Sequence, residues 1–367
     1  MVPNLRFSSF ADPFRIYTLK EVLQRISFPV TVDENKLYYQ IGIRSHSKGI
    51  FYKEAEIGRQ IGNKRIFWIE PNCLILNIVF AWEQAVAKTS EKEVGMVASH
   101  RFPMYKVLNN SLDYIVDFFK TEKGKQLLQM ASPGGAGRNK TLNQDFFLNS
   151  KIYLPSLNEQ LKTSELIELI EDRIETQIKI IEDYKVLKKK ISKQVIGSQK
   201  PNTHIYECLE NNSSSSKESD FDEYTEGQFP IYGANGVIKH INSYLIDIPS
   251  ISIVKDGAGV GRTRFLYGKY TVIGTLNYLT SKNGYDLLYL YYALDNLDFT
   301  KYIVGSGIPH IYFKDYKREM IYIPKDEKTI NKIVRCLSSL DLLIHNEQNL
   351  LLYLTKQKEY LLNNMFI

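Results

Sequence analysis

The sequence is short of almost everything that marks an enzyme, a secreted protein or a membrane protein. Its three cysteines, Cys73, Cys208 and Cys336, lie far apart, and no C-x-x-C occurs. That excludes a disulfide framework and a structural zinc site, and leaves free, buried thiols of a reducing compartment. The six histidines, among them His46, His100, His240 and His310, show no metal-ligand spacing. No G-x-S-x-G elbow is present. The glycine-rich loop Gly257-Ala258-Gly259-Val260-Gly261-Arg262-Thr263 has neither Walker A nor G-x-G-x-x-G spacing. No apolar run approaches the roughly 20 residues of a membrane span. The most apolar stretch, Cys73–Trp82, reads as a buried strand, and the amino terminus lacks the basic-then-apolar pattern of a secretory signal. Asp12-Pro13-Phe14 is a fragment of an amino-methyltransferase tetrapeptide without its second proline or a methyl-donor loop. The net charge of +6 is small. It would be larger without Glu207–Glu226, which holds seven acids and one lysine.

What is present is a repeat. Tyr153-Leu154-Pro155-Ser156-Leu157-Asn158-Glu159-Gln160 leads into a long polar–apolar segment ending near Val195. Tyr322-Ile323-Pro324-Lys325-Asp326-Glu327 leads into a similar one that runs to the end of the sequence. Shifted by about 170 residues, Glu171 is answered by Asp341 and Lys188 by Lys358. Ile174, Ile178, Ile181 and Leu187 in the first segment, and Ile344, Leu351, Leu354 and Leu361 in the second, fall at steps of 4, 3 and 6 and of 7, 3 and 7, all built from threes and fours. That spacing puts them on one face of a helix, near the coiled-coil period of about 3.5. These eight are the expected pairing residues of two antiparallel stems. Ser156 with Glu159 is expected to form a capping box.

Each stem follows a stretch rich in short β-runs and Gly/Pro breaks. In the first, runs at Lys36–Ile43, Arg65–Ile69 and Cys73–Trp82 precede a helix expected over Leu112–Met130. In the second, the polar tract Asn211–Ser216 reads as a loop. Strands are expected at Ser250–Lys255, Thr263–Tyr267 and Tyr270–Gly274, and a helix at Tyr285–Leu297. The cations and amides at loop tips suit contact with nucleic acid, since Arg and Lys match guanine edges, Asn matches adenine, and all can touch phosphate. In the first head these are Arg44, His46, Lys48, Lys64, Arg65, Arg101, Arg138 and Lys140. In the second they are Asn235, Lys255, Arg262, Thr263, Arg264, Asn277 and His310. The glycine loop is either a plain turn or, as preferred here, a loop whose bare backbone at Gly257 and Gly259 approaches the nucleic acid.

Leu154-Pro155-Ser156-Leu157-Asn158-Glu159-Gln160 and its stem resemble the conserved region of type I restriction–modification specificity subunits. Pro230-Ile231-Tyr232-Gly233-Ala234-Asn235-Gly236, Lys255-Asp256-Gly257-Ala258-Gly259 and Gly305-Ser306-Gly307 resemble their target recognition domains. The resemblance spans nearly the whole chain. The second stem begins Pro324-Lys325-Asp326-Glu327-Lys328, one residue shorter and without the glutamine, and the first head lacks the Tyr-Gly-Ala-Asn-Gly turn.

The resemblance implies an α+β fold: two mixed α/β target recognition domains separated by long helices pairing as an antiparallel coiled coil, in a pseudo-twofold internal repeat. The expected boundaries are 1–152 and 200–322 for the recognition domains, and 153–199 and 323–367 for the spacers. It implies a non-catalytic, cytoplasmic, sequence-specific DNA-binding subunit with no membrane association. Each recognition domain would read one half of a bipartite, asymmetric site in double-stranded DNA. The helices would dock two DNA adenine methyltransferase subunits, and a restriction/translocase subunit would complete the complex. The chain would carry no cofactor or metal; S-adenosylmethionine, ATP and magnesium belong to the partner subunits. The alternatives are a self-sufficient DNA methyltransferase or nuclease, and a paired-helix scaffold with no DNA role.

Overall fold

The computed structural model describes residues 2–135, 140–221, 226–282 and 284–367. The first part of the chain places β1 (Arg15–Thr18), β2 (Leu23–Ile26), β3 (Leu74–Leu76), β4 (Val86–Lys88) and β5 (Met104–Val107). Helices α1 (Leu112–Lys120), α2 (Glu122–Met130) and α3 (Gln144–Asn149), strand β6 (Lys151–Leu154) and the long helix α4 (Leu157–Ser192) follow. The second part places β7 (Thr203–His204), β8 (Leu209–Ser213), β9 (Ser250–Val254), β10 (Thr263–Leu266) and β11 (Leu276–Ser281). Then come α5 (Leu287–Leu294), α6 (Phe313–Tyr316), β12 (Met320–Ile321) and the long helix α7 (Glu327–Met365). Residues 1–178 with 350–367 form one unit and residues 179–349 a second.

In the first unit the main sheet has the order β2-β5-β3-β4, antiparallel throughout. One face buries Leu23, Leu74, Leu76, Val86 and Tyr105 against α1. The same core takes Ile167 and Ile170 from α4, Leu361, Leu362 and Met365 from α7, and Phe366 just beyond it. Ser111 caps α1, its hydroxyl accepting from the Tyr114 amide, and Thr121 then separates α1 from α2 with extended backbone. The single helix expected over Leu112–Met130 is therefore two, because Thr121 accepts from the Gly124 amide and caps a new helix. The strand expected at Cys73–Trp82 shortens to Leu74–Leu76 before a 3₁₀ turn at Ala81–Glu83. The run Lys36–Ile43 splits into Leu37–Tyr38 and Ile41–Ile43. The Ser156–Glu159 capping box does not form. The Glu159 carboxylate instead accepts two 2.7 Å bonds from the Arg6 guanidinium, a stronger charge-assisted pairing.

The second unit repeats this plan with the order β8-β11-β9-β10, again antiparallel. Its core joins Leu209, Ile251, Ile253 and Leu279 to Tyr289, Tyr292, Ile196, Ile333 and Leu337. The tract read as a loop at Asn211–Ser216 contains the end of β8, paired residue by residue with β11. The polar composition misled because one face of this strand is not core. β11 itself was not anticipated. Each unit also opens alike: an extended pair (β1 with β6, β7 with β12), then one helical turn, then the first sheet strand. Thr18-Leu19-Lys20-Glu21-Val22-Leu23 matches His204-Ile205-Tyr206-Glu207-Cys208-Leu209, with Glu21 and Glu207 bonding back to the amides of Thr18 and His204.

The stems pair in both units. In the second, Lys188 of α4 lies 2.6 Å from Asp341 of α7, which also accepts from the Tyr292 hydroxyl at 2.8 Å. In the first, Lys358 of α7 lies 2.6 Å from Glu171 of α4. The two pairs are reciprocal under the 170-residue shift, as expected only if the helices run antiparallel in a fixed register. Ile181, Ile344, Leu354 and Leu361 are buried and Ile174 and Leu351 half-buried. Ile178 and Leu187, expected on the seam, are 41% and 42% exposed. A straight helix drifts about 20° per heptad from a 3.5-residue repeat, and Gln177 and Ile181 take the inward positions.

In the first unit Lys120 bridges Asp117 and Glu171, 2.9 Å from each. Burial pushes the Asp117 carboxyl up to about 6, against the opposing pull of Lys120. Glu171 is also penalised by burial, yet Lys120 and Lys358 hold it below the usual carboxylate range. A carboxyl whose folded pKa lies above its unfolded one binds more protons when folded. Stability is therefore lost as pH rises from about 4 to about 6. Asp117→Asn should remove that loss: the melting temperature of the variant relative to wild type should rise between pH 4 and 6.5 and level off above. A pH-independent difference would contradict the shift.

Of the cysteines, Cys73 and Cys208 are buried as expected, whereas Cys336 is exposed on α7.

Candidate nucleic-acid interface

In the second unit a cleft of about 570 Å³ lies between β8, β11, the β9–β10 loop and α6, and Asn211, Lys255, Asn277, His310, Lys314 and Lys317 line it. The loop is held by the backbone. Val254 donates to the Arg262 carbonyl, Lys255 to Thr275, and Gly257 to Pro309. Gly257, Gly259 and Gly261 all have φ between +86° and +89°, a conformation glycine adopts at little cost. A Cβ on Gly261 would come within 2.7 Å of Phe299. These glycines therefore set the turn and its close packing. His310 bonds Asp256 at 2.7 Å and ties the Gly305–Pro309 loop to the glycine loop. None of Lys255, Lys314 and Lys317 has a carboxylate within ion-pair distance among the described residues. Lys314 sits 5.3 Å from the Tyr312 ring.

The remaining predicted residues of this unit lie elsewhere on it. Arg264 stands 5.9 Å over the Tyr232 ring and beside Gly236, so it joins the Asn235–Gly236 turn. Arg262 folds back over Gly259, whose Cβ would meet it at 2.8 Å. Thr263 is paired across to Ile253 in the sheet.

The first unit has the same cleft in smaller form, about 240 Å³, lined by Arg25, Arg65, Ile78, His100, Pro103 and Gln144 among others. The equivalence is one of hydrogen bonds, not of identity. Ile78 donates to the Arg101 carbonyl and accepts from Leu142, as Lys255 donates to Thr275 and accepts from Ile311. Asn77 donates to Ala85 as Val254 does to Arg262. Gln84 (φ +57°) holds the positive-φ place of Gly261. Gln144 and Phe313 each begin the short helix that closes the cleft, and Arg25 and Asn211 are each third in the first sheet strand.

Of the first unit's predicted residues, Arg65 lines this cleft, and His100 beside Arg101 lines it too. Arg44, His46 and Lys48 are on a separate turn. That turn is pinned to the β3–β4 loop by bonds from the His46 and Ser47 amides to Glu83 and Gln84, and Arg44 covers the Phe51 ring. Lys64 lies in a shallow depression with Lys53, Glu54 and Glu56. Arg101 is exposed, and Lys140 stands 5.0 Å over the Trp82 ring. Arg138 lies outside the described residues. Sequence reading missed Arg25, Gln144, Asn211 and Lys314, which sit on strands and short helices rather than loop tips, and Lys317 in the turn just after α6. The matched Leu-x-Glu-x-Leu and Ile-x-Glu-x-Leu openings would have located Arg25 and Asn211 two residues beyond.

Residues 203–361 match the model of the type I restriction modification DNA specificity domain. No curated protein sequence matches the chain. Among solved structures, the type I restriction–modification system S subunit from M. genitalium is similar over 100% of this chain and 99% of its own, at 15% identity and TM-score 0.66. A chain from a structure addressing complex assembly and conformational transition of the type I R-M system is similar over 97% and 98%, at 16% identity and TM-score 0.61. At these identities the likeness establishes the fold, two mixed α/β heads with long paired helices. Residues 203–361 thus match the type I restriction modification DNA specificity domain, and over its full length the chain is similar in fold to solved type I restriction–modification S subunits.

Proposed function

We propose that the chain is the sequence-reading subunit of a type I restriction–modification complex and is not itself an enzyme. Each unit reads one half of a bipartite, asymmetric site in double-stranded DNA through its cleft. The observation that carries this reading is the matched pair of clefts. One hydrogen-bonded frame is built twice and furnished with different polar side chains. Three unpaired lysines favour a polyanion in the larger cleft, while Arg65 and His100 flank the smaller one. Two unlike clefts would read two unlike half-sites. The paired stems present their outward faces to two DNA adenine methyltransferase subunits, and a restriction/translocase subunit joins them. S-adenosylmethionine, ATP and magnesium act on those partners. Among the described residues no helix is long and apolar enough to cross a membrane, and we place the complex in the cytoplasm.

The test is a binding titration of the full chain on random duplex from 50 to 200 mM salt. A polyanion site of six or more phosphate contacts loses about 10³-fold or more in affinity over that range. Flat or absent binding would favour the scaffold reading. Methyl transfer or cleavage by the purified chain alone would overturn the non-catalytic assignment.

A further inference from the structure

The two clefts differ most informatively at one matched position. Arg25 lies opposite Tyr105 on β5, and Asn211 lies opposite Leu279 on β11. Tyr105 and Leu279 in turn face Leu74 and Ile251 on the third strand. The places are thus the same to the residue, while the side chains share no chemistry beyond polarity. Both line their clefts. Among the described residues, neither side chain takes part in a hydrogen bond or an ion pair. The Asn211 Oδ1 is buried without a partner. In either amide orientation one polar atom of Asn211 is shut from water and unsatisfied, a cost that folding alone does not explain.

We propose that Arg25 and Asn211 are the base-selecting residues of the two clefts, Arg25 taking a guanine and Asn211 an adenine. The proposal rests on the DNA-reading assignment above. The arginine fork presents paired donors that match guanine O6 and N7, and the asparagine amide, once its side chain turns outward from this shut-in position, presents one donor and one acceptor that match adenine N7 and N6. A position in a paired strand fixes such a fork better than a loop tip does. Lys255, Lys314 and Lys317 are flexible point charges suited to phosphate. Beside Arg25, Tyr105 donates its hydroxyl to Gln144 at 3.1 Å, which orders the floor of the smaller cleft.

The experiment selects sequences from a random duplex library with the full-length wild type and with Arg25→Ala, Arg25→Lys and Asn211→Ala. Each protein's melting temperature is measured alongside. Arg25→Ala should lose about 10- to 100-fold preference for guanine at one position of one half-site, leaving the other half intact, and Arg25→Lys should not restore it. Asn211→Ala should do the same for an adenine in the other half-site while raising the melting temperature. Unchanged base preferences would overturn the proposal. So would a uniform affinity loss repaired by Arg25→Lys, which marks a phosphate contact, or a lowered melting temperature for Asn211→Ala, which marks a structural amide. Those results leave the DNA-reading assignment standing. No enriched sequence with the wild type would overturn both.

Discussion

Leu337→Ala should cost about 2–5 kcal/mol of stability, and Ile167→Ala a similar amount. The two side chains are 0% exposed and stand 170 residues apart at equivalent places on the two stems. Leu337 packs with Tyr289 and Tyr292 of α5, and Ile167 shares its core with Tyr114 and Phe118 of α1. Removing three carbons from either leaves a cavity that helices pinned by Lys188–Asp341 or Lys358–Glu171 cannot easily close. Urea unfolding gives the magnitude. Hydrogen exchange gives the location: Leu337→Ala should lower protection within residues 179–349, and Ile167→Ala within 1–178 and 350–367. Leu342→Ala is the control, because Leu342 is 60% exposed and a surface truncation costs under about 0.5 kcal/mol. If Leu337→Ala were no worse than Leu342→Ala, the seam would not be core.

Replacing Lys255, Lys314 and Lys317 together by alanine should be the most damaging change for DNA binding. Each lysine that neutralises a phosphate adds about 0.9 to the log–log salt slope, so the slope should fall by about 2.7 when all three are lost. Affinity at low salt should fall by roughly tenfold or more, equally for all sequences, because contacts to phosphate carry no base information. Lys301→Ala is the matched control, since Lys301 is already engaged by Glu319. A full slope in the triple variant would remove this cleft from the DNA path.

The stems were legible because helices keep a constant offset. Glu171, Lys188, Asp341 and Lys358 could be matched by subtraction, and the structure joins them in two reciprocal pairs. The heads were not legible that way. Leu23 matches Leu209 at a shift of 186, Leu76 matches Ile253 at 177, Tyr105 matches Leu279 at 174 and Leu142 matches Ile311 at 169. Insertions between strands change the offset each time, and backbone bonds, which carry the likeness, leave no trace in residue identity. Asn211 was lost inside an apparent polar loop, since a strand facing a cleft alternates less clearly than one facing water. Gly257, Gly259 and Gly261 were recognised as special, and the structure gives them a local role in a tight turn.

The most direct test of the account is the sequence enriched by the unmodified full-length chain from a random duplex library. Two separate and unlike blocks of specified bases, with unspecified bases between them, are the predicted result, one block for each cleft. A single block, or two identical blocks in palindrome, would contradict a protein that builds the same frame twice and furnishes it differently.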